Sequence, residues 1–166
     1  EVLSYRQSPE FRDGDYILGY MLNAGFAEEV KAWHAKNPSV PLRFFWDNAA
    51  EAPVKVVDDT LSFYYLDDKE FLRQMAGCMA YASTAGFESI CEAMYLGKPL
   101  MMVPSHIEQK CNAYDATRFD AAVESETFDL DVLLSFARDG KFRRDEGFPA
   151  WALSSAEVFA KELESM

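Results

Sequence analysis

The sequence predicts one α/β domain: a doubly wound, Rossmann-like parallel sheet of about six strands with helices on both faces. Two observations predict it. Short apolar runs alternate about six times with segments of helical spacing, and the connections between them are only a few residues long. A third observation supports a single unit. At 166 residues, 49% apolar and 14% aromatic, the chain suits one domain with a substantial core.

Asp15 to Met21 is a short apolar run, expected as a buried strand, and Asn23-Ala24-Gly25 ends it. Phe26, Val30 and Trp33 share one helical face, and Asn37-Pro38 stops that helix. A second strand is expected over Leu42 to Trp46. After an irregular, proline-containing stretch, a third follows over Leu61 to Leu66. Asp67-Asp68 then caps a helix through Phe71, Leu72 and Met75, closed by Gly77. The pattern repeats as a strand over Cys78 to Ala82, a turn over Ser83 to Gly86, and a helix over Phe87 to Leu96. Leu100 to Val103 is the next strand, followed by a helix from Glu108 to Arg118. Ala121 to Val123 forms a short last strand, with further helices over Leu130 to Arg138 and Ser154 to Leu163.

Sixteen Lys and Arg face 28 Asp and Glu, a net charge of −12. That balance argues against a general nucleic-acid binder and against a polybasic membrane module. No apolar run has the length of a spanning helix. The three cysteines form neither a disulfide framework nor a zinc pattern, which fits reduced thiols in the cytoplasm. Two histidines cannot build a metal cluster, so no metal or cofactor is expected. The chain opens on Glu1 without a Met. Residues 1–14 read as a linker, which suggests a piece excised from a longer protein or a processed product, and 15–166 as the domain proper.

In such sheets ligands bind beyond the carboxyl ends of the strands. The most informative loop there is Ser83-Thr84-Ala85-Gly86, with the helix that begins after it. A helix start offers unpaired amides and partial positive charge, so it can hold an anion without Lys or Arg. Ser89 could add a hydroxyl. Glu92, three residues on and on the same face, is placed to accept from the two hydroxyls of a ribose. Spacing alone favours the plainer reading of a Ser89 cap and a solvated Glu92, with Phe87, Ile90, Cys91 and Met94 turned to the core. The loop after the next strand carries His106, Glu108 and Gln109. The last two present an acceptor and an amide that suit sugar hydroxyls, and Glu108 also complements a helix dipole.

The run Gly86-x-x-Ser89-x-x-Glu92-Ala93-x-x-x-Gly97-x-Pro99, then Pro104 and Glu108-Gln109-x-x-Asn112-Ala113, resembles nucleotide-sugar glycosyltransferases of the GT-B fold. It is similar to their C-terminal, donor-binding half, as in the MurG-like and plant-type UDP-glycosyltransferases. It looks most like a little-characterised bacterial and archaeal branch. The likeness is strongest over residues 65–122.

The resemblance implies donor phosphates at Asn23, Ala24, Thr84, Gly86, Phe87 and Ser89. It implies the ribose at Glu92, the base against the main chain of Leu66, and the transferred sugar at His106, Glu108 and Gln109. Thr84 stands where the plant-type signature has His. Glu88 stands where it has Asn, and is expected to point away from the phosphates. The implied ligand is a UDP-sugar, with no metal and no nucleic acid. The acceptor and the catalytic base are expected on a missing N-terminal domain, which would also carry any peripheral membrane association. The isolated half is expected to be inactive. Two other classes fit the same pattern: a sugar-nucleotide epimerase of this fold, and a non-catalytic half-transferase subunit working with a partner chain.

Overall fold

Adjacent strand residues face opposite sides of a sheet, so a strand apolar at every position must be covered on both faces. Ile17 and Leu18, Phe44 and Phe45, and Met101 and Met102 are such pairs, and all six are fully buried. Ile17, Phe44 and Met101 join one core with Val30, Trp33, Leu130 and Leu133, while Leu18, Phe45 and Met102 join another with Phe71, Tyr81, Ile90 and Leu96.

The computed structural model describes residues 2–48, 50–118 and 120–165. The ends of the expected linker and of the domain, at positions 1 and 166, lie outside them. The chain runs α1 (Val2–Tyr5), β1 (Ile17–Met21), α2 (Ala27–His34), β2 (Leu42–Trp46), β3 (Val54–Val56), β4 (Leu61–Tyr65) and α3 (Asp68–Gly77). It continues with β5 (Ala80–Ser83), α4 (Phe87–Leu96), β6 (Leu100–Met102), α5 (Ile107–Thr117), β7 (Ala122–Glu124), α6 (Leu130–Arg138) and α7 (Phe148–Glu164).

The sheet order is β3-β4-β2-β1-β5-β6-β7. Every pairing is parallel except β3 with β4. The doubly wound reading holds, with seven strands rather than about six. The extra one, β3, is a three-residue antiparallel edge whose Val54 and Val56 are exposed, so it carries no burial signal. Strand order reverses between β1 and β5. At Gly19 in β1 a Cβ would lie 2.0 Å from the Phe44 ring, so only glycine allows the strands and that ring to pack.

Residues 2–15 form a strap laid over α3 and α4. Arg6 donates to the Tyr95 carbonyl (2.6 Å), and the Arg12 amide to the Ala76 carbonyl (3.1 Å). Lys98 is buried beneath it, its ammonium donating to the carbonyls of Arg12 (2.6 Å) and Cys78 (2.9 Å). Burial lowers its pKa, and the carbonyls and Asp13 (3.5 Å) compensate the charge. The last helix begins at Phe148, six residues before the expected start, with Pro149 in its first turn.

Candidate functional site

At the carboxyl ends of β1, β4 and β5 lies a cleft of about 620 Å³. Tyr20 of β1, Leu66, and Asp68, Phe71 and Leu72 of α3 form one side. Gly86, Phe87, Glu88, Ser89 and Glu92 form the other, and Val2 of the strap closes one end.

The turn from β5 into α4 is tightly specified. Ala85 sits at φ 67°, in the left-handed region that a side chain disfavours. Its amide donates to Ser83 Oγ (3.0 Å), and its carbonyl accepts from Asn112 Nδ2 (3.0 Å). Asn112, from the second motif, thus braces the first. Gly86 then starts α4 with no side-chain capping hydrogen bond. Its φ of −65° is open to any residue, and an added Cβ would meet only Ser89 Oγ, at 3.9 Å. Glycine here keeps the space above the amides empty. Ser89 Oγ donates back to the Gly86 carbonyl (3.2 Å), which leaves the first-turn amides unplugged.

Phe87, expected in the core, is 66% exposed because the first turn of α4 faces the cleft. Cys91 is only partly buried, whereas Ile90 and Met94 do turn inward. Glu88 does not turn away from the site but lines the cleft. Partial burial and the Glu88 carboxylate push Glu92 up to about 7. Among the described residues no Lys or Arg lines the cleft, so an anion there must rely on backbone amides and the α4 dipole. Among the described residues, no three His, Cys, Asp or Glu side chains are grouped to hold a metal ion.

The cleft therefore brings together Leu66, Gly86, Phe87, Ser89 and Glu92, and leaves the other sequence candidates outside its lining. Asn23 spends its side chain on the Gly25 amide (2.8 Å), capping the one-turn helix Ala24–Phe26. Thr84 is buried at the end of β5, its amide donating to the Tyr20 carbonyl (3.3 Å). Gln109 is buried, its Oε1 accepting from the Ser105 amide (2.8 Å) and hydroxyl (2.9 Å). His106 and Glu108 are exposed at the start of α5, which His106 does not cap with its side chain. Sequence reasoning missed Val2, Tyr20, Phe71 and Leu72. Apolar spacing marked the last two, but as core.

The described helices include none long and apolar enough to cross a membrane. No curated protein matches the chain. Solved structures do. The glycotransferase of kitacinnamycin superposes with a TM-score of 0.70 at 14% identity, over 89% of this chain and 43% of its own. UGT89C1 of Arabidopsis thaliana, complexed with UDP, gives 0.57 at 15% identity over 90% and 39%. SnogD of Streptomyces nogalater gives 0.56 at 12% over 78% and 35%. These likenesses establish the fold. The chain spans about two fifths of the length of these glycosyltransferases. The profile of glycosyl transferase family 1 matches residues 2–139, and the chain belongs to that family.

Proposed function

We propose that this chain is the donor half of a glycosyltransferase, binding a nucleotide-sugar, a UDP-sugar first among them, in the cleft at the start of α4. The observation that carries this reading is the convergence on one cleft of the uncapped start of α4, Glu92 further along the same helix, and Leu66 from the separate loop after β4.

In this reading the diphosphate sits on the amides of Gly86, Phe87 and Ser89, with Asn23, Ala24 and Thr84 at the loop ends beside it. Glu92 accepts from the ribose hydroxyls. The base lies against the Leu66 main chain, between Tyr20 and Phe71. His106 and Glu108 reach the sugar from the next loop, and Gln109, fixed by Ser105, offers its amide nitrogen. Transfer leaves a nucleoside diphosphate whose charge grows as the glycosidic bond breaks. The α4 amides, aimed at that charge and fixed by the Asn112 brace, would stabilise the departure. The acceptor and the base that activates it are assigned to an N-terminal domain outside this chain. The isolated half therefore binds donor and transfers nothing.

Ligand-observed NMR with UDP, GDP and TDP tests this directly. Saturable contact with one of them is expected, and contact with none overturns the reading. In the same assay Glu92→Ala should weaken nucleoside diphosphate far more than inorganic pyrophosphate. Equal losses would remove the ribose role.

A further inference from the structure

The opposite end of α3 carries a second concavity, a notch of about 160 Å³ lined by Pro9, Glu10, Arg12, Tyr16, Arg43, Arg73 and Gly77. Three elements each contribute one guanidinium: the strap (Arg12), β2 (Arg43) and α3 (Arg73). In a chain of net charge −12 this convergence needs a cause.

Among the described residues a direct ion pair engages only one of the three, while Glu10 and Glu70 act on Arg12 and Arg43 from longer range. Arg73 is held in a two-point pair by Glu70 (2.8 and 2.5 Å). Arg43 sits over the Tyr16 ring, its Cζ 3.9 Å from the centroid, a cation–π contact that uses none of its N–H donors in a hydrogen bond. Neither the Arg43 nor the Arg12 side chain has a hydrogen-bond or ion-pair partner among the described residues. Helix capping does not explain them either. Three of the last four carbonyls of α3 are taken by other donors: Gln74 by Tyr16 Oη (2.6 Å), Met75 by the Cys78 amide (3.3 Å) and Ala76 by the Arg12 amide (3.1 Å). Glu10, the one carboxylate in the lining among the described residues, is bonded by the Ser8 hydroxyl, which with the nearby Arg73 and Arg12 holds its pKa down.

We infer that this notch is a second ligand site, separate from the cleft, that binds inorganic phosphate or a small phosphate monoester. Two unpaired guanidinium groups, Arg12 and Arg43, with the Nη1 edge that the Glu70 pair leaves on Arg73, arrive from three elements and suit a tetrahedral oxyanion better than a planar carboxylate. The volume holds a phosphate with a small substituent and lies below the roughly 300 Å³ at which pockets begin to take a nucleoside-sized ligand. One turn-rich strap joins the two sites, since Val2 closes the cleft and Pro9 to Arg12 wall the notch.

The test is a titration of the intact chain with inorganic phosphate at constant ionic strength, followed by amide NMR. Saturating shifts are expected at Arg12, Arg43, Arg73 and Gly77, and the same residues should respond to a sugar phosphate. Arg43→Gln and Arg12→Gln should each weaken binding at least about tenfold. Should Arg43→Gln unfold through loss of its stack on Tyr16, Arg12→Gln decides, because that side chain is exposed. Shifts confined to residues 86–89, uptake without saturation, or wild-type affinity in Arg12→Gln would overturn the site.

Discussion

Helices α3 and α4 both start at the end of a parallel strand and both turn their first residues toward the same cleft, yet they treat their free amides in opposite ways. Asp67 plugs the start of α3, its carboxylate accepting from the Glu70 amide at 2.9 Å. Gly86 leaves the start of α4 open. Capping by a carboxylate supplies internally what an anionic ligand would otherwise supply. The difference separates a helix start that serves the fold from one that is available to a ligand.

Exchanging the two solutions should produce the largest effects. Gly86→Asp places a carboxylate over the α4 amides, with room for it and an accessible φ. Stability should hold or rise by a few tenths of a kcal/mol, about the advantage of an Asp over a Gly cap. Nucleoside diphosphate affinity should fall more than about tenfold, the least expected from replacing charge-assisted bonds by like-charge repulsion. Asp67→Ala should do the reverse, losing about 1 kcal/mol of stability with affinity unchanged. Calorimetric melts and a UDP titration read both variants. A Gly86→Asp protein that binds UDP like the parent would end the distinction between the two helix starts.

Glu92 sharpens the same comparison on the open side. Its carboxyl titrates near 7 in the fold against 4.5 as a free group, so the folded state keeps a proton that the unfolded chain has released. The stability tied to that retained proton is present below about pH 4.5 and is lost as pH rises toward 7. Glu92→Gln cannot ionise. Its melting temperature should therefore exceed the parent's at about pH 8 and match it at about pH 4. A variant that is less stable at the higher pH would show that the charged form is favoured by partners in the fold. The cost fits a group held for ligand binding, since a ribose diol donates best to the ionised carboxylate.

How much of this could be read from residues alone depends on how local the cause is. The α4 and α6 bounds and those of β2 match their apolar spacing and stop residues, because capping and periodicity act within a turn or two. β3 gives no strand signal in the sequence because Val54 and Val56 are exposed on an edge beside Pro53, where neither face is buried. The strap read as a linker because what fixes it lies far off in sequence: Tyr95 for Arg6, Ala76 and Lys98 for Arg12. The cleft divides in the same way. Gly86, Ser89 and Glu92 were legible within one helix start, and Leu66 through a family resemblance. Tyr20 and Val2 enter the lining only through the order in which the strands and the strap pack. Phe87 departs from the core position its spacing predicts because an aromatic in a helix usually faces a core, whereas here the first turn borders a cleft.

The smallest expected effect concerns the turn that aims the open helix start. Three terms decide Ala85→Gly. Relief of the left-handed conformation at φ 67° favours the variant by about 1–2 kcal/mol. The greater freedom of glycine in the unfolded chain disfavours it by roughly 0.5–1 kcal/mol. Loss of a fully buried methyl disfavours it by about 0.8 kcal/mol more. The sum lies within about 1 kcal/mol of zero, so denaturant midpoints should nearly coincide. UDP affinity should also hold, because Asn112 and Ser83 grip main-chain atoms that the substitution leaves in place. A loss above about 2 kcal/mol would mean that the backbone at Ala85 carries little strain, and that the alanine is retained for packing instead.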